Sequence, residues 1–280
     1  MKLVSFEMNG LERVGRLSPD GKAVQPIRGA DSMLSLIEHW DGKLDLEDSV
    51  PTSEVRLLAP IPRPGRDIIC LGMNYARHSA EMERKNADAF SKQAGYAVYF
   101  SKGVYECTPD GGAIESHPAL TSQLDYEAEL AVIVGRTVRD LTPEQVPGAI
   151  FGYTVINDVS TRDVQTQHKQ FYFGKSLDTF APMGPCIVTA DEFEFPPART
   201  VWSRVNGELR QNAVTDQLIF SLTHILTELS SGMTLPAGTI IATGTPAGVG
   251  MGFDPPRFLR PGDVVECGVE GIGTITNTVV

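Results

Sequence analysis

The sequence predicts a mainly β fold with some α, divided into a small N-terminal α+β domain over residues 1–62 and a larger domain over residues 63–280. Three observations carry that expectation. Many short β-like runs beyond Glu129, such as Gly152–Ile156 and Thr239–Ala242, alternate with glycine and proline, which suits irregular sheets better than a regular βαβ alternation. Helical periodicity is confined to a few stretches. The string Ala59-Pro60-Ile61-Pro62-Arg63-Pro64-Gly65 holds three prolines in five residues, which neither a helix nor a central strand can continue, and it sets the boundary near residue 62.

The elements follow in order. Residues 1 to 60 read as short strands separated by the turn signals Asn9-Gly10, Pro19-Asp20-Gly21 and Asp41-Gly42. A short amphipathic helix is expected over Ser32–Trp40, where Met33, Leu36, Ile37 and Trp40 recur at helical spacing. Asp67–Gly72 reads as a buried strand, residues from Asn74 to Ala87 as a helix, and Asp88–Tyr96 as a mobile lid segment. Leu124–Val132 reads as one strand with Asp125, Glu127 and Glu129 on a single face, because strand side chains alternate. Asp216–Ser231 is the strongest helix candidate, with Leu218, Ile219, Leu222, Ile225, Leu226 and Leu229 on one side. His224 within it is expected to be packed or capped rather than catalytic. The tail from Pro261 to Asn277 reads as a closing antiparallel pair.

Composition narrows the function. Net charge is −11, from 35 acidic and 24 basic residues, which disfavours nucleic acid or an anionic membrane as partner. A small anionic substrate stays possible, since a metal and a few basic groups can invert the field inside a pocket. Cys70, Cys107, Cys186 and Cys267 are far apart, with neither zinc-ligand spacing nor a disulfide framework. With no leader-like N-terminus and no apolar run of the roughly 18 residues needed to span a bilayer, a reduced, cytoplasmic protein is the expectation.

Three constellations can carry chemistry. The acids of the 124–132 strand repel one another, so they face water or share a hard divalent cation such as Mg²⁺. Asp158, at the end of the strand Gly152–Ile156, offers a third oxygen donor that completes a set with Glu127 and Glu129. Arg162 and Gln165, three apart, share a face if they start a helix, and an arginine there suits carboxylate capture. Asp163 reads as an N-cap with an ordinary ion pair. His78 and Glu81 are spaced so that one helical turn brings imidazole and carboxylate together, the arrangement of an oriented general base and equally of a surface ion pair.

The strings Gly72-Met73-Asn74-Tyr75-Ala76-x-His78-x-x-Glu81-Met82, Tyr99–Lys102, Asp125–Leu130, Asn157–Asp163, Gly174–Phe180 and Ala242–Gly250 together resemble the fumarylacetoacetate hydrolase family, in the family's order, over roughly residues 60 to 280. The resemblance implies a mixed β-roll with the active site in its mouth, and a homodimer. It implies Glu127, Glu129 and Asp158 as ligands of one Mg²⁺ or Mn²⁺ per subunit, Lys175 beside the metal and the developing negative charge, and Thr245 at the substrate carboxylate or carbonyl. Arg162 and Gln165 fall on positions lining the substrate site, His78 and Glu81 on a water-activating pair, and Asp178 on an orienting position. The implied chemistry is C–C hydrolysis of a 2,4-dioxo acid (an acylpyruvate or fumarylpyruvate) through a metal-stabilised enolate. Decarboxylation of an oxaloacetate-type acid, a tautomer shift, or isomerase or hydratase activity in aromatic catabolism could use the same enolate. The chain departs from compact members in carrying Arg77 before His78 and a longer, polar 83–96 stretch, which makes Arg77 or Lys102 candidates for a distal carboxylate of the substrate.

Overall fold

Near-continuous apolar runs such as Ala128-Glu129-Leu130-Ala131-Val132-Ile133-Val134 give strands buried on both faces, and such strands form the centre of the molecule. The computed structural model describes residues 1–85 and 95–280. The expected lid Asp88–Tyr96 therefore lies, up to residue 94, outside the described residues. The main sheet has eleven strands. From one edge to the other they run Val50–Pro51, Ala23–Pro26, Leu11–Leu17, Lys2–Met8, Met183–Thr189, Ile150–Asn157, Ala128–Val134, Ile240–Ala242, Ile68–Gly72 and Val98–Lys102, with Arg56–Leu57 also paired to Lys2–Met8. All its pairings are antiparallel except Ile240–Ala242 with Ile68–Gly72. A second sheet holds Glu208–Val214, Thr200–Val205, Val264–Val269, Gly273–Val279 and Ala113–Ile114. The fold is mainly β with a small N-terminal part, as the sequence predicts. Residues before 62 do not form a separate sheet: Leu3 pairs with Ile187, so the N-terminal strands extend the main sheet.

Two apolar layers flank Ala128–Val134. Leu130, Val132 and Val134 pack with Tyr153, Val155, Val201 and Cys267 between the two sheets. Ala131 and Ile133 face the other way, among Ile68, Ile187 and Met33. Five α-helices occur among the described residues. Helix α1 (Met33–Glu38) starts at Ser32, whose side chain caps Ser35 N–H, and α2 (Ala76–Lys85) matches the expected 74–87 helix. Then come α3 (Arg162–Gln167), α4 (Phe171–Lys175) and α5 (Leu222–Gly232). The expected 216–231 helix begins later, at Leu222. Ser221 caps His224 N–H, and residues 215–217 form a separate 3₁₀ turn. His224 lies on the surface, 3.2 Å from Glu228 and against the Phe220 ring.

Candidate active site

The 124–132 segment is not one strand. Leu124–Asp125 pairs with Ser160–Thr161, the ladder breaks at Tyr126–Glu127, and Ala128 starts the central strand. At the break the Asn157 side chain replaces a backbone partner, its Oδ1 accepting from Glu127 N–H at 2.9 Å. Asp158 N–H donates to Glu127 C=O at 2.8 Å. This exchange holds Glu127 and Asp158 opposite each other at the mouth of the sheet. The break also separates Asp125 from the other acids. Its carboxylate accepts from Gly250 N–H, Met251 N–H and Arg162 Nε, so the predicted three-acid face is corrected to two acids of this segment plus Asp158.

Glu127, Glu129 and Asp158 are buried, with one ligand-capable oxygen from each within 4.8 Å of the others. Lys175 ends α4, and its Nζ donates to Glu127 Oε2 at 2.7 Å and Asp158 Oδ2 at 2.6 Å. Only glycine fits before it, because a Cβ on Gly174 would lie 2.7 Å from Gln165 N where α4 crosses α3. Arg162, at the start of α3, lies 2.7 Å from Glu127 through Nη2 and reaches Gln165 Oε1 through Nη1 at 3.2 Å. The expected shared face of Arg162 and Gln165 is present, but the guanidinium is already engaged by Asp125, Glu127 and Gln165.

The charges are unequally balanced. Burial opposes ionisation of Glu127, yet the Lys175 and Arg162 cations outweigh it and hold the carboxyl below its usual range. Burial pushes Glu129 well up, and the Asp158 and Glu127 charges push it further. Gly244 N–H, at 2.7 Å, is its hydrogen-bond donor, and no cation pairs with it among the described residues. Asp158 Oδ1 lies 2.8 Å from Lys102 Nζ yet makes no hydrogen bond of proper geometry. Three buried carboxylates, one without a cation and one with an orphaned oxygen, fit a hard divalent ion.

His78 and Glu81 project from the inner face of α2. His78 Nδ1 is 3.2 Å from Glu81 Oε2, and both Glu81 oxygens accept from Gly248 N–H at 3.2 Å. Both side chains are buried, which removes the surface-pair alternative. His78, Glu127, Arg162, Gln165, Lys175 and Thr245 line one chamber together with Met73, Met82, Phe100 and Phe171. Its volume is about 20 Å³, room for about one water molecule.

Two expected substrate contacts are elsewhere. Lys102 is fully buried and does not line the chamber; Asp158, Val159 C=O and Lys175 C=O surround its ammonium, which neutralises Asp158. Arg77 points from the outer face of α2 into a separate cavity of about 920 Å³ with Arg84, Arg210 and Gln217. Asp178 is exposed, and its C=O lies 3.1 Å from His117 Nε2; among the described residues its carboxylate makes no contact with the centre. Asp163 does lie in the first turn of α3, but its carboxylate accepts from Thr121 Oγ1 and Ser122 N–H and forms no ion pair among the described residues. Sequence reasoning missed Asn157, Asp125 as a clamp for Arg162, and Gln211. The Asn-Asp and Asp-Tyr-Glu strings contained the first two; nothing local marked Gln211.

A buried carboxylate triad at the ends of two central strands, with an oriented histidine beside it, makes a candidate centre suited to a divalent ion. The chain belongs to the fumarylacetoacetate hydrolase family: the model of that family's C-terminal domain matches residues 67–280. It is 47% identical over 227 residues to the oxaloacetate tautomerase YisK of Bacillus subtilis, covering 81% of this chain and 74% of that protein. The fumarylacetoacetate hydrolase of Exiguobacterium antarcticum superposes with a TM-score of 0.87 at 44% identity, over 100% of this chain and 99% of that one. A 2-hydroxyhepta-2,4-diene-1,7-dioate isomerase from Mycobacterium marinum superposes with a TM-score of 0.79 at 32% identity, over 100% and 98%. Relatives thus include both hydrolases and isomerases, and they support catalytic activity in general for this chain.

Proposed function

We propose that this chain interconverts the keto and enol forms of a small 2-oxo dicarboxylic acid of the oxaloacetate type, in preference to the C–C hydrolysis that the motifs alone put first. The observation that carries the reading is the single oriented imidazole that faces the carboxylate–lysine cluster. Hydrolysis requires an acyl group and a nucleophilic water together beside His78. Tautomerisation requires a single proton carrier, and the name of the 47%-identical relative points the same way. Glu81 engages Nδ1 and leaves Nε2 of His78 to take a proton from C3. The C–H electrons form the C2=C3 bond, negative charge gathers on the C2 oxygen, and return of the same proton from His78 to that oxygen gives the enol and restores the neutral imidazole. Lys175 supplies fixed positive charge beside that oxygen. Glu127, Glu129 and Asp158 would hold one Mg²⁺ or Mn²⁺, which would polarise the 2-oxo group as a Lewis acid. A homodimer in the cytoplasm belongs to the same proposal; four buried free thiols are compatible with a reducing compartment.

The test is ketonisation of enol-oxaloacetate followed by ultraviolet absorbance with Mn²⁺, alongside NMR product analysis on acetylpyruvate and fumarylpyruvate. Accelerated ketonisation, lost on adding EDTA, with the acylpyruvates intact, is expected. Release of pyruvate and a carboxylic acid from an acylpyruvate would restore the hydrolase reading, and CO₂ from oxaloacetate would make the enzyme a decarboxylase.

A further inference from the structure

Gln211 lies on the second sheet, in the strand Glu208–Val214, and is fully buried. Its amide makes four hydrogen bonds. Oε1 accepts from Ala128 N–H at 3.0 Å and from Ser203 Oγ at 2.9 Å. Nε2 donates to Thr245 Oγ1 and to Pro246 C=O, each at 2.7 Å. The amide cannot be flipped, because Ala128 N–H is a backbone donor and Pro246 C=O a backbone acceptor.

Each contact but one falls at the site. Ala128 lies between the candidate ligands Glu127 and Glu129. Thr245 lines the chamber, and Pro246 is two residues before Gly248, the donor to Glu81. A hydroxyl has one proton. Because Thr245 Oγ1 accepts from Gln211, its own proton goes to Ala128 C=O at 2.9 Å. The hydroxyl proton is therefore turned away from the chamber.

From this geometry we infer that Gln211 is a positioning residue of the active site, acting through Thr245 and Ala128. It fixes the polarity of the Thr245 hydroxyl and ties the loop carrying Thr245 and Gly248 to the strand carrying Glu127 and Glu129. The inference rests on the metal-centre reading above. A residue that merely filled space between the sheets would affect stability without affecting metal affinity or turnover.

The test is a double-mutant cycle of Gln211→Met and Thr245→Val in the full chain. Mn²⁺ affinity is read by calorimetry and kcat/KM by oxaloacetate ketonisation, with near-ultraviolet circular dichroism as a check of folding. Gln211→Met should weaken both at least tenfold, and the double variant should lose no more than the worse single variant, because the two residues act as one unit. Ser203→Ala, which removes the one Gln211 contact remote from the chamber, should leave both at the wild-type level. Wild-type affinity and turnover in folded Gln211→Met would overturn the inference, as would losses that multiply in the double variant. If Gln211→Met does not fold, Gln211→Glu replaces it in the cycle under the same criteria; it keeps both acceptor contacts and removes the two donor contacts. Failure of the wild type to ketonise enol-oxaloacetate overturns only the functional reading, and the cycle is then decided on Mn²⁺ affinity. Failure of the wild type to bind Mn²⁺ overturns both.

Discussion

At the scale of single residues, the centre is a set of buried charges that are safe only in company. Lys102 illustrates this. It resembles a substrate-binding lysine in sequence, but its fully buried ammonium neutralises Asp158. Removing one member of a buried pair costs about 3–5 kcal/mol because the other is left uncompensated. Asp158 keeps Lys175 at 2.6 Å, so Lys102→Met should lower stability by less than that in urea denaturation, whereas an unchanged midpoint would mean that Asp158 does not depend on Lys102. Glu127→Gln removes a candidate ligand and the partner of both Lys175 and Arg162; Mn²⁺ binding by calorimetry and ketonisation should both disappear, and a normal rate would sink the metal assignment. Arg77→Ala should leave the ratio of KM values for dicarboxylic and monocarboxylic substrates unchanged, since Arg77 faces the outer cavity. Glu127, Glu129 and Asp158 were legible because carboxylates at strand ends in recognisable strings carry their signal locally. Lys102, Asp125 and Gln211 were not, because their roles depend on partners distant in sequence, such as Arg162 for Asp125, 37 residues away, and Ala128 for Gln211, 83 residues away.

At the scale of elements, helix α2 and the loop after Thr245 act on each other through Glu81. Its carboxylate sits under Gly248 N–H and over Gly252, where a Cβ would lie 1.9 Å from Glu81 Oε1. Gly252→Ala should push the carboxylate off and free the imidazole to rotate. Turnover should fall by about ten- to a hundredfold, part of the roughly 10²–10⁴ that a positioned base contributes, with circular dichroism unchanged. Helix positions were readable from periodicity, since α1 and α2 appear close to where the pattern puts them. The start of α5 was misread because apolar spacing at Leu218 and Ile219 continues the pattern, while the Ser221 cap decides where the helix begins. The break at Tyr126–Glu127 was also invisible, since alternation continues through it and only the Asn157 side chain across the ladder reveals it.

At the scale of the whole molecule, the mainly β class followed from short runs punctuated by glycine and proline. The order of an eleven-stranded sheet did not, because pairings such as Leu3 with Ile187 join segments that share no local signal. The same packing encloses all four cysteines. Burial pushes the Cys107 thiol up to about 12 and that of Cys186 up to about 11, and raises those of Cys70 and Cys267 as well. The native protein should accordingly be inert to a thiol reagent such as Ellman's reagent at pH 8, and all four thiols should react in guanidinium. A fast-reacting thiol in the native protein would contradict the packing described for the sheets.

The chamber beside His78 is smaller than any 2-oxo acid, so the arrangement described is one that a ligand must wait for the protein to leave. Capture is then a two-step process in which opening precedes binding. In stopped-flow experiments with oxalate as a substrate-like ligand, the observed association rate should level off at high concentration. That plateau would report the rate at which the chamber opens, independent of how tightly the anion is finally held.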